Sequence, residues 1–163
     1  MASLAWLSAQ TQVSSVATCD TVGAMQPTAE EFEYFRQRVE EVPFLRLLDI
    51  KLERLGRGEA EMSMTVSQKH LQTMGIVHGG VIASILDSVT WWAAFAAQQP
   101  GDSAKLMSAD LKLNYLSALK SGRATARATC KKAGSRLCYA VGEIFDEAGR
   151  LVADGSSTLL VVR

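Results

Sequence analysis

Alternation of apolar and polar residues first becomes regular at 60–66, where Ala60, Met62, Met64 and Val66 are separated by Glu61, Ser63 and Thr65. A period of two with one polar face predicts a strand whose other face is buried. The same period returns at 109–115, with Ala109, Leu111, Leu113 and Tyr115 set against Asp110, Lys112 and Asn114. It returns again at 123–130, where Ala124, Ala126, Ala128 and Cys130 alternate with polar residues. Two further strands, 137–145 and 151–162, are joined through Asp146-Glu147-Ala148-Gly149, a hairpin connection whose glycine can take a positive φ. Upstream the spacing is helical: Thr28-Ala29-Glu30-Glu31 matches a capping box, and Phe32, Phe35 and Val39 follow on one face. Pro43 should end that helix, 45–50 has no clear period, and 54–58 is expected as the turn before the first strand.

The run "GIVHGGVIASILDSVTWWAAFAA", residues 75–97, has a different pattern. Ala, Leu, Ile, Trp and Phe without an alternating polar face predict a helix opening at Gly79-Gly80 and closed by Pro100-Gly101-Asp102. Apolar nearly all round, it should be surrounded by protein, and the strands can supply the wrapping. The architecture expected is α+β: one curled antiparallel sheet around one long central helix.

Composition narrows the function classes. Lys+Arg and Asp+Glu both number 17, so the net charge is zero and no block of like charge suggests a nucleic-acid partner. The 3 cysteines contain no CxxC pair, which argues against a disulfide framework or a zinc site and fits a reducing cytoplasm. The apolar run 81–97 contains an acid and falls short of the ~20 residues that cross a bilayer. Residues 1–27 carry Asp20 as their only charged side chain and read as a disordered leader to a single domain at 28–163. Met25 is an alternative start.

One ionisable side chain, Asp87, sits in the long apolar run. An ionised carboxylate in an apolar interior costs several kcal/mol unless it is paired or hydrogen-bonded. Helical spacing puts Ser84, Asp87, Ser88 and Trp91 on one face, which is where a cleft is expected. The acid either accepts hydrogen bonds from neighbouring hydroxyls in a structural role or serves as general base or nucleophile. Upstream, His78, Gly79 and Gly80 lie where the helix leaves its first N–H groups free, a site suited to a developing oxyanion. Asp87 lies roughly 10 Å along the helix from that end at 1.5 Å per residue. That is far for one reacting carbon, so a complete site calls for two chains. A metal site on His70 and His78 lacks carboxylates at ligand spacing, and no Gly-x-Ser-x-Gly elbow supports a hydrolytic triad.

Gln72, His78-Gly79-Gly80 and Asp87, with "SADLKLNYLSAL", "KKAGSRL" and "GRLVADGSSTLLVV", resemble the hotdog-fold acyl-CoA thioesterases, most closely the PaaI-like group, which is similar to one class of 4-hydroxybenzoyl-CoA thioesterase. The resemblance runs from about Phe44 to Val162. It implies homodimers, or dimers of dimers, with active sites at the subunit interface, and an acyl-CoA substrate without metal or redox cofactor, coenzyme A being part of the substrate. By position it makes Asp87 the nucleophile or general base. The Gly79 N–H and the Gln72 amide become the oxyanion donors, and Ser108 the hydroxyl that orients water. His78 shapes the turn, and Gly80, Ser88 and Trp91 line the substrate site. Lys132, Gly134, Ser135 and Arg136 form a basic turn for the phosphates of coenzyme A.

Trp91 and Trp92 depart from the smaller residues common at these positions; they either shorten an acyl pocket or fill an interface. Two rival readings remain: a non-catalytic acyl-CoA sensor or scaffold, and an enoyl-CoA hydratase or dehydratase. The hydratase chemistry uses a differently arranged Asp/His pair.

Overall fold

A computed structural model describes residues 24–98 and 105–162. Thr28 caps α1 (Ala29–Glu41) through the expected capping box, its hydroxyl accepting from the Glu31 N–H and the Glu31 carboxylate from its own. Pro43 stops α1 but also starts a short helix, α2 (Pro43–Leu47), taking the first helical position where its missing N–H is not needed. The strands are β1 (Lys51–Gly56), β2 (Glu59–Thr65), β3 (Lys105–Tyr115), β4 (Arg123–Ala133), β5 (Leu137–Phe145) and β6 (Leu151–Val162). The expected turn at 54–58 shrinks to Arg57-Gly58, both at positive φ, so that β1 pairs with β2 through a tight hairpin. The Pro100-Gly101-Asp102 turn and residues 1–23 lie outside the described residues. Met25, within the segment read as a leader, is bonded through its backbone to Ala96 and Arg57.

The six strands form one antiparallel sheet in the order β1-β2-β4-β5-β6-β3. It curls around α3 (Gly79–Ala96), which contacts every strand. This is the expected α+β hotdog architecture. By length and a mean hydropathy of 1.3, α3 could cross a bilayer, but half of it is buried against the sheet, as in a core helix. Close approach is possible because Gly142 on β5 lies directly opposite Gly155 on β6. A Cβ on either would come within 2.8 Å of Leu86 on α3. The core gathers Ile85, Leu86 and Val89 of α3 against Leu52, Met62, Met64 and Ile144 of the sheet.

The helix is not covered all round. Ser84, Asp87, Ser88, Trp91 and Phe95, at steps of three and four, form a half-buried stripe, with exposed Gly80 at its head. The stripe and β3 run side by side in opposite directions, held at three levels. Tyr115 Oη donates to the Gly79 carbonyl (3.1 Å), Ser108 Oγ to Asp87 Oδ1 (2.7 Å), and the Trp91 indole N–H to the Leu106 carbonyl (3.0 Å). β3 is a sheet edge, and Met107 and Tyr115 on it are exposed.

Candidate active site

His78 is the N-cap of α3: its Nδ1 accepts the Gly80 N–H at 2.9 Å. Each of the two glycines has a close neighbour of its own. A Cβ on Gly80 would sit 3.1 Å from His78 Nδ1, and one on Gly79 would sit 3.0 Å from the Tyr115 hydroxyl. With the Gly80 N–H taken up by the cap, the Gly79 N–H is left without an acceptor among the described residues. Gln72 lies on the loop leading to this turn. Its Oε1 accepts the Met74 N–H at 3.0 Å and the Thr73 hydroxyl at 3.4 Å, which leaves its amide NH2 unengaged among the described residues.

Gln72, His78, Gly79 and Gly80 line one cleft of about 560 Å³, whose other walls include Tyr115 and Leu119. It therefore joins two spare N–H donors to an apolar wall at a helix N-terminus, the arrangement that stabilises an oxyanion. Pattern reading registered Tyr115 only as a strand residue. Its place as the last residue of the edge strand, at the start of "YLSAL", is the signal the sequence carries.

Asp87 and Ser108 do not line this cleft. Asp87 is half-buried on the open stripe. Its helical neighbours do not satisfy it, because Ser84 Oγ donates to the Gly80 carbonyl (2.7 Å) and Ser88 Oγ to the Ser84 carbonyl (2.8 Å). The donor is Ser108, just before a register shift in β3 between Ser108 and Asp110. Such a bulge re-aims the side chains beside it. One chain thus holds an oxyanion-type cleft and a carboxylate–hydroxyl pair that its own α3 keeps eight residues apart, about 12 Å at 1.5 Å per residue.

Trp91, half-buried on the stripe, packs within an aromatic cluster. Its ring stacks on Phe95 (centroids 5.5 Å, planes 7° apart) and meets Trp92 edge-on, while Phe35 of α1 closes the cluster against Trp92 and Phe95. Lys132 belongs to β4 rather than to the turn, which is Gly134-Ser135-Arg136; Lys132, Ser135 and Arg136 are exposed. The turn stands at the end of the sheet where β3 begins, since Leu137 and Met107 both pair with Leu160.

Two cysteines are buried in a smaller cluster with Leu106 and Leu159. The neighbouring Cys130 thiol, helped by the Gln98 amide at 3.0 Å, holds the Cys138 thiol below the usual thiol range against the opposing effect of burial. Neither lines the cleft.

Comparison with known proteins bears on the family of the chain. Residues 74–153 match the thioesterase superfamily. The 1,4-dihydroxy-2-naphthoyl-CoA hydrolase of Escherichia coli is 31% identical over 120 residues, covering 71% of this chain and 83% of that enzyme. Acyl-coenzyme A thioesterase 13 of Pongo abelii is 28% identical over 105 residues, covering 62% and 71%. The crystal structure of a Haemophilus influenzae thioesterase superposes with a TM-score of 0.75 at 24% identity, covering 86% of this chain and 94% of that one, a likeness of fold. On these matches the chain belongs to the thioesterase superfamily and is a thioester hydrolase.

Proposed function

We propose that this thioester hydrolase cleaves acyl-CoA to a carboxylic acid and free coenzyme A, in a site completed by a second copy of the chain. The observation that carries the reading is the antiparallel run of β3 beside the open stripe of α3, with Tyr115 at Gly79 and Ser108 at Asp87. Among the described residues β3, 11 residues long, is an edge strand with its outer side unpaired, and such edges are normally covered or paired. Antiparallel pairing of two β3 edges about a twofold axis brings the Tyr115 end of one copy to the Ser108 end of the other. Each cleft with its spare N–H donors then faces the partner's carboxylate. Two further pairs can assemble in turn, giving a dimer of dimers.

In the mechanism, Asp87 supplies the oxygen nucleophile, as its own carboxylate or as a water it deprotonates. Ser108, donating to Oδ1, fixes the carboxylate and leaves Oδ2 for the reaction. The thioester oxygen takes up negative charge at the Gly79 N–H and the Gln72 amide, and the tetrahedral centre collapses with departure of the coenzyme A sulfur, which is then protonated. The acyl group, short or medium-length or aryl, occupies the cleft beside Leu119. The exposed Lys132, Ser135 and Arg136, at the sheet end where β3 begins, receive the phosphates of coenzyme A. A reducing cytoplasm suits the Cys130 and Cys138 thiols in hydrogen-bond contact.

The test is thiol release from short, medium, long and aryl acyl-CoAs by wild type and Asp87→Asn. Turnover that depends on Asp87 supports the reading. Binding without turnover on every substrate contradicts it and favours a sensor.

A further inference from the structure

His70 is fully buried, yet no step above uses it. Its Nδ1 accepts the Ser67 N–H at 3.0 Å, closing the short turn Gln68–His70, and its carbonyl accepts the His78 N–H at 2.8 Å. The loop between these bonds is itself closed by the Leu71–Val77 bridge and by the Gln72 N–H on the Ile76 carbonyl (2.8 Å). One residue therefore ties both ends of the loop, with its imidazole at the start and its backbone at the finish. The start places Gln72, two residues on. The finish places His78, whose Nδ1 holds the Gly80 N–H and leaves that of Gly79 open.

The protonation state matters to this tie. Because Nδ1 accepts the Ser67 N–H, the imidazole carries its proton on Nε2, which is buried. A second proton would turn Nδ1 into a donor facing another donor, the Ser67 N–H. The charged groups beside it are Lys69, on the same turn, and Asp49, on the approach to β1, paired with each other at 2.6 Å. Burial first, then Lys69, disfavours the imidazolium; the Leu48 carbonyl and Asp49 favour it less strongly, and the balance lies with the neutral ring.

We infer that His70 is a positioning residue for the oxyanion loop, holding Gln72 and the His78-Gly79 turn in place only while its imidazole is neutral. The inference rests on the reading of Gln72 and the Gly79 N–H as the oxyanion donors.

The test uses His70→Asn, His70→Leu and Asp87→Asn in the full chain, each first checked for cooperative thermal unfolding. Asn offers Oδ1 in place of Nδ1 and cannot titrate, whereas Leu keeps bulk and removes the acceptor. Displacing catalytic groups by about 1 Å can cost ~100-fold, so His70→Leu should lower kcat by roughly tenfold or more, with KM within about twofold. Wild-type kcat should fall as pH drops below about 6.5, and His70→Asn should recover kcat to within about threefold and lose part of that fall. Acid-side losses from other groups are common to both proteins, so the difference reads His70 alone. A folded Leu variant with wild-type kcat, or an Asn variant with the wild-type acid limb, overturns the inference. Should Leu fail to fold, the Asn profile decides. Inactive Asp87→Asn alongside wild-type-like His70 variants removes this inference and leaves the proposed site standing. Active Asp87→Asn contradicts the site and this inference with it.

Discussion

Ser108 Oγ donates to Asp87 Oδ1 at 2.7 Å, joining the edge strand β3 to the middle of α3. The bond answers why an acid stands in so apolar a helix. Asp87 faces the open stripe, and its partner comes from another element rather than from the serines one turn away.

Substitution at the two residues should separate their roles. Asp87→Asn keeps the shape and the acceptor for Ser108 but loses the base, and general-base loss commonly costs ~100- to 10,000-fold in kcat. Ser108→Ala removes a bond to a charged group, of order 1.5–3 kcal/mol, and should cost roughly ten- to a hundredfold. Steady-state kinetics on one acyl-CoA checks both. Equal losses from the two variants would make Ser108 a reacting group.

His78 should act through stability more than through proton transfer. Removing an N-cap acceptor costs about 1 kcal/mol, or roughly 2–4 °C in Tm for a chain of this size, so His78→Ala should melt lower by that much. His78→Asn, which caps well, should recover most of the Tm. Calorimetry reads the pair, and a full loss of turnover in an Asn variant with restored Tm would instead place the imidazole in the chemistry.

Trp91 holds Leu106, two residues before Ser108, through its indole N–H. Trp91→Phe keeps an aromatic ring and deletes the donor. The expected outcome is a loss of about 1 kcal/mol and a similar fall in turnover on every acyl-CoA. A changed preference between short and long acyl chains would place the ring against substrate.

Stability should fall on mild acidification through His70. Its folded pKa lies below the ordinary 6.5, so the unfolded chain binds the proton first. Its contribution is whole above about pH 6.5 and is lost as pH falls through the lowered value. Asp49 and Asp146 are also lowered, from 3.8, by Lys69 and by the Arg150 backbone N–H respectively, so their losses come at still lower pH. Urea unfolding of wild type and His70→Asn at pH 7.5 and 5.5 should show a steeper acid loss in wild type; parallel losses would contradict it.

The strands at 137–145 and 151–162 were legible to the residue, the first from its strict period of two and the second from the turn at 146–149 that precedes it. β3 reaches back to Lys105, where "KLMS" has no such alternation. α2 was hidden because five residues give too little repeat for a helical period, and because Pro43 signals both a stop and a start. Asp87, Gly79 and Gln72 could be singled out by residue type and resemblance. The bond from Ser108 could not, since it depends on the bulge that turns β3 toward α3. His70 was weighed only as a metal ligand, because its tie to His78 runs through a backbone carbonyl that no residue type announces.

The central claim is that each site takes its carboxylate from one copy and its oxyanion donors from the other. It is tested most directly by co-expressing Asp87→Asn with Gln72→Ala, isolating the mixed oligomer by two affinity tags, and measuring acyl-CoA thiol release. Each variant alone should be nearly inactive. In a twofold-symmetric pair one site of the mixed oligomer carries both defects and the other carries neither, so turnover should return to roughly half that of wild type. A mixed oligomer no more active than its parents would contradict the shared site.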